Sequence, residues 1–163
     1  HADGECPTGT PWKHGGNMDT TDICEGSTVY LPVRQPGALL AMGDVHAIMG
    51  DGEMCFTGCE SAADVTVQVL LIKAKASEWP LVETANHTMI VASGDTLDDA
   101  AVAASDQAVT CLSLGLGLSW EDAYMLASLV VDLKISQFVD PKRTVRAAIP
   151  NSILPTELLL RRM

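Results

Sequence analysis

The apolar period of the chain changes at Gly94, and that change limits the folds open to it. Before it lie short β-branched or apolar runs separated by Gly, Pro and Asp: STVYLPV (27–33), ALLAMGD (38–44), GEMCFTGCE (52–60), DVTVQVLLIKA (64–74) and VETANHTMIVAS (82–93). Runs of this length between turn residues predict strands, and several in succession predict a sandwich or barrel. After Gly94 the period becomes helical. Leu97, Ala101, Ala104, Ala108 and Cys111 are spaced to share one helix face. Asp95 and Thr96 are N-cap residues in type, and Asp98 and Asp99 fall where the helix dipole favours acids.

LGLG (114–117) ends that helix, and Ser119 with Asp122 resembles a capping box for a second, with Ala123, Leu126, Val130 and Leu133 as its apolar stripe. ISQFVD and TVRAAIP return to strand texture. The pattern predicts a mainly β chain with an α+β part, divided into residues 1–93 and 94–163. Residues 1–27, rich in Gly, Pro, Thr and Asp, predict irregular turns.

With 163 residues, 47% of them hydrophobic and 19% charged, the chain can bury a core, which must be aliphatic because aromatics are only 4%. A formal charge of −11 opposes binding to nucleic acid, and no basic run offers a local exception. No run reaches the ~18 apolar residues of a membrane span, and no signal peptide is evident. Cys6, Cys24, Cys55, Cys59 and Cys111 form no C-x-x-C pair, which predicts buried thiols in a reducing cytoplasm rather than a disulfide framework. Cys55 and Cys59, four apart in an expected strand, would face one side.

Neither a nucleophile elbow, a P-loop, a dinucleotide fingerprint nor an H-E-x-x-H helix occurs. GLGLS (115–119) lies between two helices and reads as their linker. The polar interest lies in GDVHAIMGDGEMCFTGCE (43–60). In an extended strand Asp44 and His46 share a face, and Asp51 with Glu53 repeats the relation after a turn at Met49-Gly50. Imidazole with carboxylates suits Zn²⁺. Glu60 is a further candidate, although strict alternation puts it on the face opposite Glu53 unless a bulge intervenes. An Asp- and Gly-rich turn is the alternative. HGGNMD (14–19) repeats the chemistry, with Gly15 and Gly16 allowing close backbone approach beside Asn17 and Asp19. His87 and the tryptophans Trp12, Trp79 and Trp120 read as structural. Gln137 and Asp140 in SQFVD could line a pocket, with a strand-end hydrogen-bonding role as the favoured reading.

HGGNMD, EGSTVYLPV, PGALLAMGDVHAIMGDGE, LSWEDAYMLASLVVDLKISQFVD and AAIP, in this order from His14 to Ile153, resemble the acetamidase/formamidase family. The resemblance implies a jelly-roll-like β-sandwich portion followed by a two-helix α+β subdomain, in a cytoplasmic, oligomeric enzyme. It also implies hydrolysis of formamide or acetamide to carboxylate and ammonia, without a Ser or Cys nucleophile. The matched polar positions are Asn17, Asp19, Asp44, His46, Asp51, Glu53 and Glu60.

The reading that follows is metal-assisted hydrolysis. His46, Asp19 and Glu60 are the expected ligands of a divalent metal, zinc first, with Asp44 or Glu53 as general base and proton donor. Asn17 is assigned to the oxyanion, and Asp51, Gly15 and Gly16 to the small amide substrate. The resemblance covers only the C-terminal half of a typical member, so a homo-oligomer or pairing with the N-terminal half is expected to cover exposed sheet edges. The rival is a non-catalytic metal-binding or assembly module that keeps the fold with part of the site.

Overall fold

The computed structural model describes residues 7–73, 75 and 77–163. Five strands form one antiparallel sheet in the order β1-β2-β3-β5-β4: β1 (Thr28–Tyr30), β2 (Leu81–Glu83), β3 (His87–Gly94), β4 (Asp132–Gln137) and β5 (Arg143–Pro150). Three helices complete the fold: α1 (Leu97–Leu116), α2 (Trp120–Val130) and α3 (Thr156–Arg162). The α+β class is as expected, and the sheet does not close into a barrel.

Alternation along β3 and β5 separates two apolar layers. Leu81, Ile90, Ala92, Val145, Ala147 and Ile149 face the helices and meet Ala100, Ala104, Ala108, Cys111 and Leu112 of α1. Val82, Met89, Val91 and Ala148 face the other way, under Met18. Small residues on α1 let it lie close to the sheet, and Gly115 continues this towards α3, since a Cβ there would meet Leu154 Cδ1 at 2.4 Å.

The expected helix signals operate. Thr96 and Asp99 form a reciprocal capping box at α1, Gly117 ends it with φ 69°, and the Ser119 hydroxyl accepts from the Asp122 amide at α2. Of the α2 stripe only Ala123 is buried, with Leu126 packed beside the core. Helix α3, which follows Pro155, was not anticipated, because its seven residues are too short to show a period.

Residues 93 and 94 both belong to β3, which pairs with β5 along its whole length, from His87↔Pro150 to Gly94↔Arg143. Two corrections concern the first part. The runs 38–44, 52–60 and 64–73 are not strands but irregular segments, exposed except at buried Gly52 and Glu53 and half-buried Gly58, with isolated bridges at His46↔Glu60 and Gly52↔Gln137. Cys111 is the buried thiol expected, whereas Cys24, Cys55 and Cys59 are exposed; Cys6 lies outside the described residues. Among the described residues no single helix is long and apolar enough to cross a membrane.

Candidate metal site on the open face of the sheet

The two polar segments meet, but not through paired strands. Residues 45–48 and 59–61 form a short antiparallel contact, with Ala47 N donating to Cys59 O at 2.8 Å, Cys59 N to Ile48 O at 2.8 Å and Ser61 N to Val45 O at 2.9 Å. This sets Glu60 opposite His46. Between them the chain turns at Glu53 and Phe56, both at positive φ, so strand alternation does not apply and Glu53 and Glu60 both reach His46. The objection from alternation therefore falls.

One ligand atom from each of Asp19, His46 and Glu53 lies within 4.8 Å of the others, and the same holds for Asp44, His46 and Glu60. His46 is common to both sets. Its side chain is 10% exposed, and Nε2 stands 3.1 Å from Glu60 Oε1 and 3.5 Å from Asp44 Oδ1. Neither approach is aligned as a hydrogen bond, so Nε2 is a buried ring nitrogen without a hydrogen-bond partner. Nδ1 meets Met49 Sδ at 3.3 Å. A buried, unpartnered imidazole nitrogen ringed by carboxylates fits the donor set of a divalent cation such as zinc.

The backbone is held in unfavourable conformations here. Asn17, Asp19, Asp44 and Glu53 all have φ between 41° and 59°, the left-handed region that side chains rarely adopt. Strain of this kind persists only where the surroundings fix it, and it gathers at functional sites. Gly58 provides the close approach expected of Gly15 and Gly16. A Cβ on Gly58 would lie 2.5 Å from His46 Nδ1 and 2.6 Å from its Cγ. Gly15 packs instead against Leu31 and Pro80, and Gly16 N donates to His14 Nδ1 at 2.9 Å, so these glycines shape the loop ahead of Asn17.

The electrostatics follow from crowding. Burial, a hydrogen bond with Asp140, and the charges of Glu53, Asp140 and Asp44 push the Asp19 carboxyl up to about 7. Burial also raises Glu53, as do the charges of Asp140, Asp44 and Glu60, against an opposing effect from His46. Asp140 is raised chiefly by burial, and its Oδ2, like His46 Nε2, is a buried polar atom with no hydrogen-bond partner. A dication would reverse this balance and favour every ionised carboxylate.

Asp140 therefore joins the site, the role that its sequence context offered only as the alternative. Gln137 has the strand-end role expected: its Oε1 accepts from Val139 N at 3.0 Å and Asp140 N at 3.1 Å, which fixes the loop carrying Asp140. Asn17 Nδ2 donates to the Gly9 carbonyl at 3.2 Å, and its side chain helps to offset the raised Asp140 carboxyl. Asp51 is turned to Arg146 Nη2 at 2.6 Å and Thr21 Oγ1 at 2.7 Å. Burial pushes its carboxyl up, but those bonds and the Arg146 charge outweigh this and leave it below the ordinary value. A surface cavity of about 370 Å³ lies elsewhere, lined by Trp12, Lys13, Trp79, Asp95 and Gln107 and by no residue of the His46 cluster.

Residues 2–156 match the family model described as the Acetamidase/Formamidase family. A formamidase of Methylophilus methylotrophus is 45% identical over 64 residues, 39% of this chain and 16% of that protein. An acetamidase of Mycolicibacterium smegmatis is 41% identical over 64 residues, 39% and 16% of the two chains. Among solved structures, an acetamidase from Bacillus halodurans superposes with a TM-score of 0.86 at 48% identity, covering 89% of this chain and 49% of that one. A predicted acetamidase/formamidase from Thermoanaerobacter tengcongensis gives 0.88 at 45% identity, covering 91% and 50%. The chain thus spans about half the length of these solved relatives. On this match, the chain belongs to the Acetamidase/Formamidase family.

Proposed function

We propose that this chain carries the metal site of a hydrolase that cleaves the C–N bond of formamide or acetamide, giving carboxylate and ammonia. The observation that carries the reading is His46 Nε2, buried and without a hydrogen-bond partner among Asp19, Asp44, Glu53 and Glu60, in a chain of this family. His46 would hold a zinc ion with Asp19 and Glu60, one carboxylate from each of the two sets that share it, leaving Glu53 and Asp44 beside them. When bound, such an ion supplies Lewis acidity that polarises a carbonyl and acidifies water. Glu53, buried and raised, is suited to hold a proton and pass it from a carboxyl oxygen to the leaving nitrogen, while Asp44, more exposed, is suited to accept one. Exposed apolar side chains such as Leu70, Leu71 and Leu129 support working in association, as a homo-oligomer or with the rest of a longer protein.

The test is ammonia release from formamide and acetamide by the purified chain, before and after chelation and zinc return. Zinc-dependent release is expected, with loss in His46→Ala. Full activity after complete chelation would remove the metal from the account. The rival, a metal-binding module without catalysis, draws on the half-length coverage of the solved relatives. Stoichiometric zinc binding with no ammonia release would favour it.

A further inference from the structure

Arg146 lies at the centre of β5, on the sheet face away from α1, and is 1% exposed. Its guanidinium has five N–H donors and five partners. Nε donates to Asp22 Oδ2 at 2.6 Å. Nη1 donates to Ile135 O and Ser136 Oγ, each at 3.2 Å. Nη2 donates to Thr21 Oγ1 at 3.2 Å and Asp51 Oδ1 at 2.6 Å. Thr20 Oγ1 reaches Ser136 Oγ at 3.1 Å, and Gly52 N donates to Ser136 O at 2.9 Å, so the same three segments are cross-tied around it.

These segments are the ones that bear the site. Thr20, Thr21 and Asp22 directly follow Asp19; Asp51 stands between His46 and Glu53; and Ser136 precedes the turn that presents Asp140. Outside these tethers, residues 38–60 have little regular structure to hold them. A buried arginine between two carboxylates is weak evidence for stability, because an apolar replacement often serves as well. Its planar fork does what no apolar side chain can: it fixes separate segments at set distances and angles.

We propose that Arg146 is the positioning residue of the site, its guanidinium holding Asp22 and Asp51 so that Asp19 and Glu53 converge on His46. A lysine at this position has three donors on one nitrogen and cannot reproduce the fork. The role of the converging groups rests on the metal reading above, whereas the positioning itself does not.

The experiment compares Arg146→Lys with Leu112→Ala, a destabilising change on the opposite, helix-facing layer. In metal-free protein, Arg146→Lys is expected to raise amide exchange at Gly52 and Glu53 at least tenfold, with far-ultraviolet circular dichroism unchanged. Zinc affinity, read by calorimetry, is expected to fall at least tenfold. Leu112→Ala is expected to lower Tm while leaving both readouts near wild type. Wild-type exchange and affinity in Arg146→Lys would overturn the proposal, as would equal losses in Leu112→Ala. If the wild-type chain binds no zinc, the metal reading fails and the exchange comparison still decides the role of Arg146. If Arg146→Lys does not fold, Asp51→Ala, which removes one arm from the exposed side, is expected to give the same exchange increase at Gly52, and no increase would overturn the proposal.

Discussion

At the scale of the residue, the site depends on close approaches and crowded charges. Gly58 leaves no room for a Cβ beside His46, and the atoms it would strike are near the root of the ring. Gly58→Ala should therefore turn the imidazole and weaken zinc binding by roughly 10–100-fold, the range for changes to groups that orient a ligand. Calorimetry against wild type checks this. Glu53 at φ 44° separates backbone from side-chain effects. Glu53→Gly and Glu53→Ala both delete the carboxylate, but Glu53→Gly should be the more stable by about 1 kcal/mol, because only alanine bears the left-handed penalty. Denaturant unfolding of the two proteins measures the difference.

The raised Asp19 carboxyl gives a pH dependence with a definite sign. Metal-free folded protein holds its proton up to about pH 7, whereas the unfolded chain releases it near the ordinary carboxylate value, about 4. The folded state binds more protons in that window, so this group's contribution falls as pH rises from about 4 to about 7. Thermal unfolding in chelator should show Tm declining across that window, with a smaller decline in Asp19→Asn. Identical pH profiles would contradict the assignment.

At the scale of the element, helix α1 and the strands β3 and β5 were each legible singly, because each carries its own local pattern, whereas the pairing of β3 with β5 was not. The capping box at Thr96 and Asp99 needs only four consecutive residues to form. Thr96→Ala should accordingly cost about 1 kcal/mol, read by thermal unfolding. DVTVQVLLIKA was misread for a physical reason: alternation records fitness for a sheet, but a strand exists only when another supplies its hydrogen bonds. Among the described residues none pairs with 64–73. Of the site, His46, Asp19 and Glu60 could be named from residue type and the resemblance, and the structure brings their segments together. Arg146 and Gly58 could not be found this way, and Asp140 stood only as an alternative pocket residue. Arg146 sits in an ordinary strand run, Asp140 looks like a strand end, and the use of Gly58 appears only once His46 is placed against it.

At the scale of the whole molecule, a well-packed sheet and helix layer carries a largely exposed apolar band. Val69, Leu70 and Leu71 are 70%, 78% and 68% exposed, and Leu129 on α2 is 82% exposed. Exposed apolar side chains of this kind support the proposal that the chain works in association. Leu70→Lys with Leu71→Lys should change folding stability by less than about 0.5 kcal/mol, as surface changes do, while reducing self-association in light scattering. A large loss of stability would mean that these side chains are buried in the working molecule.

The central claim is that His46 and the surrounding carboxylates hold a divalent cation, and X-ray absorption at the zinc edge of the zinc-loaded chain tests it most directly. The account predicts one zinc per chain with nitrogen and oxygen ligands only, at about 2.0–2.2 Å, including a single imidazole that disappears in His46→Ala. A sulfur shell at about 2.3 Å, as binding by the exposed thiols of Cys55 and Cys59 would give, or an unchanged spectrum in His46→Ala, would contradict it.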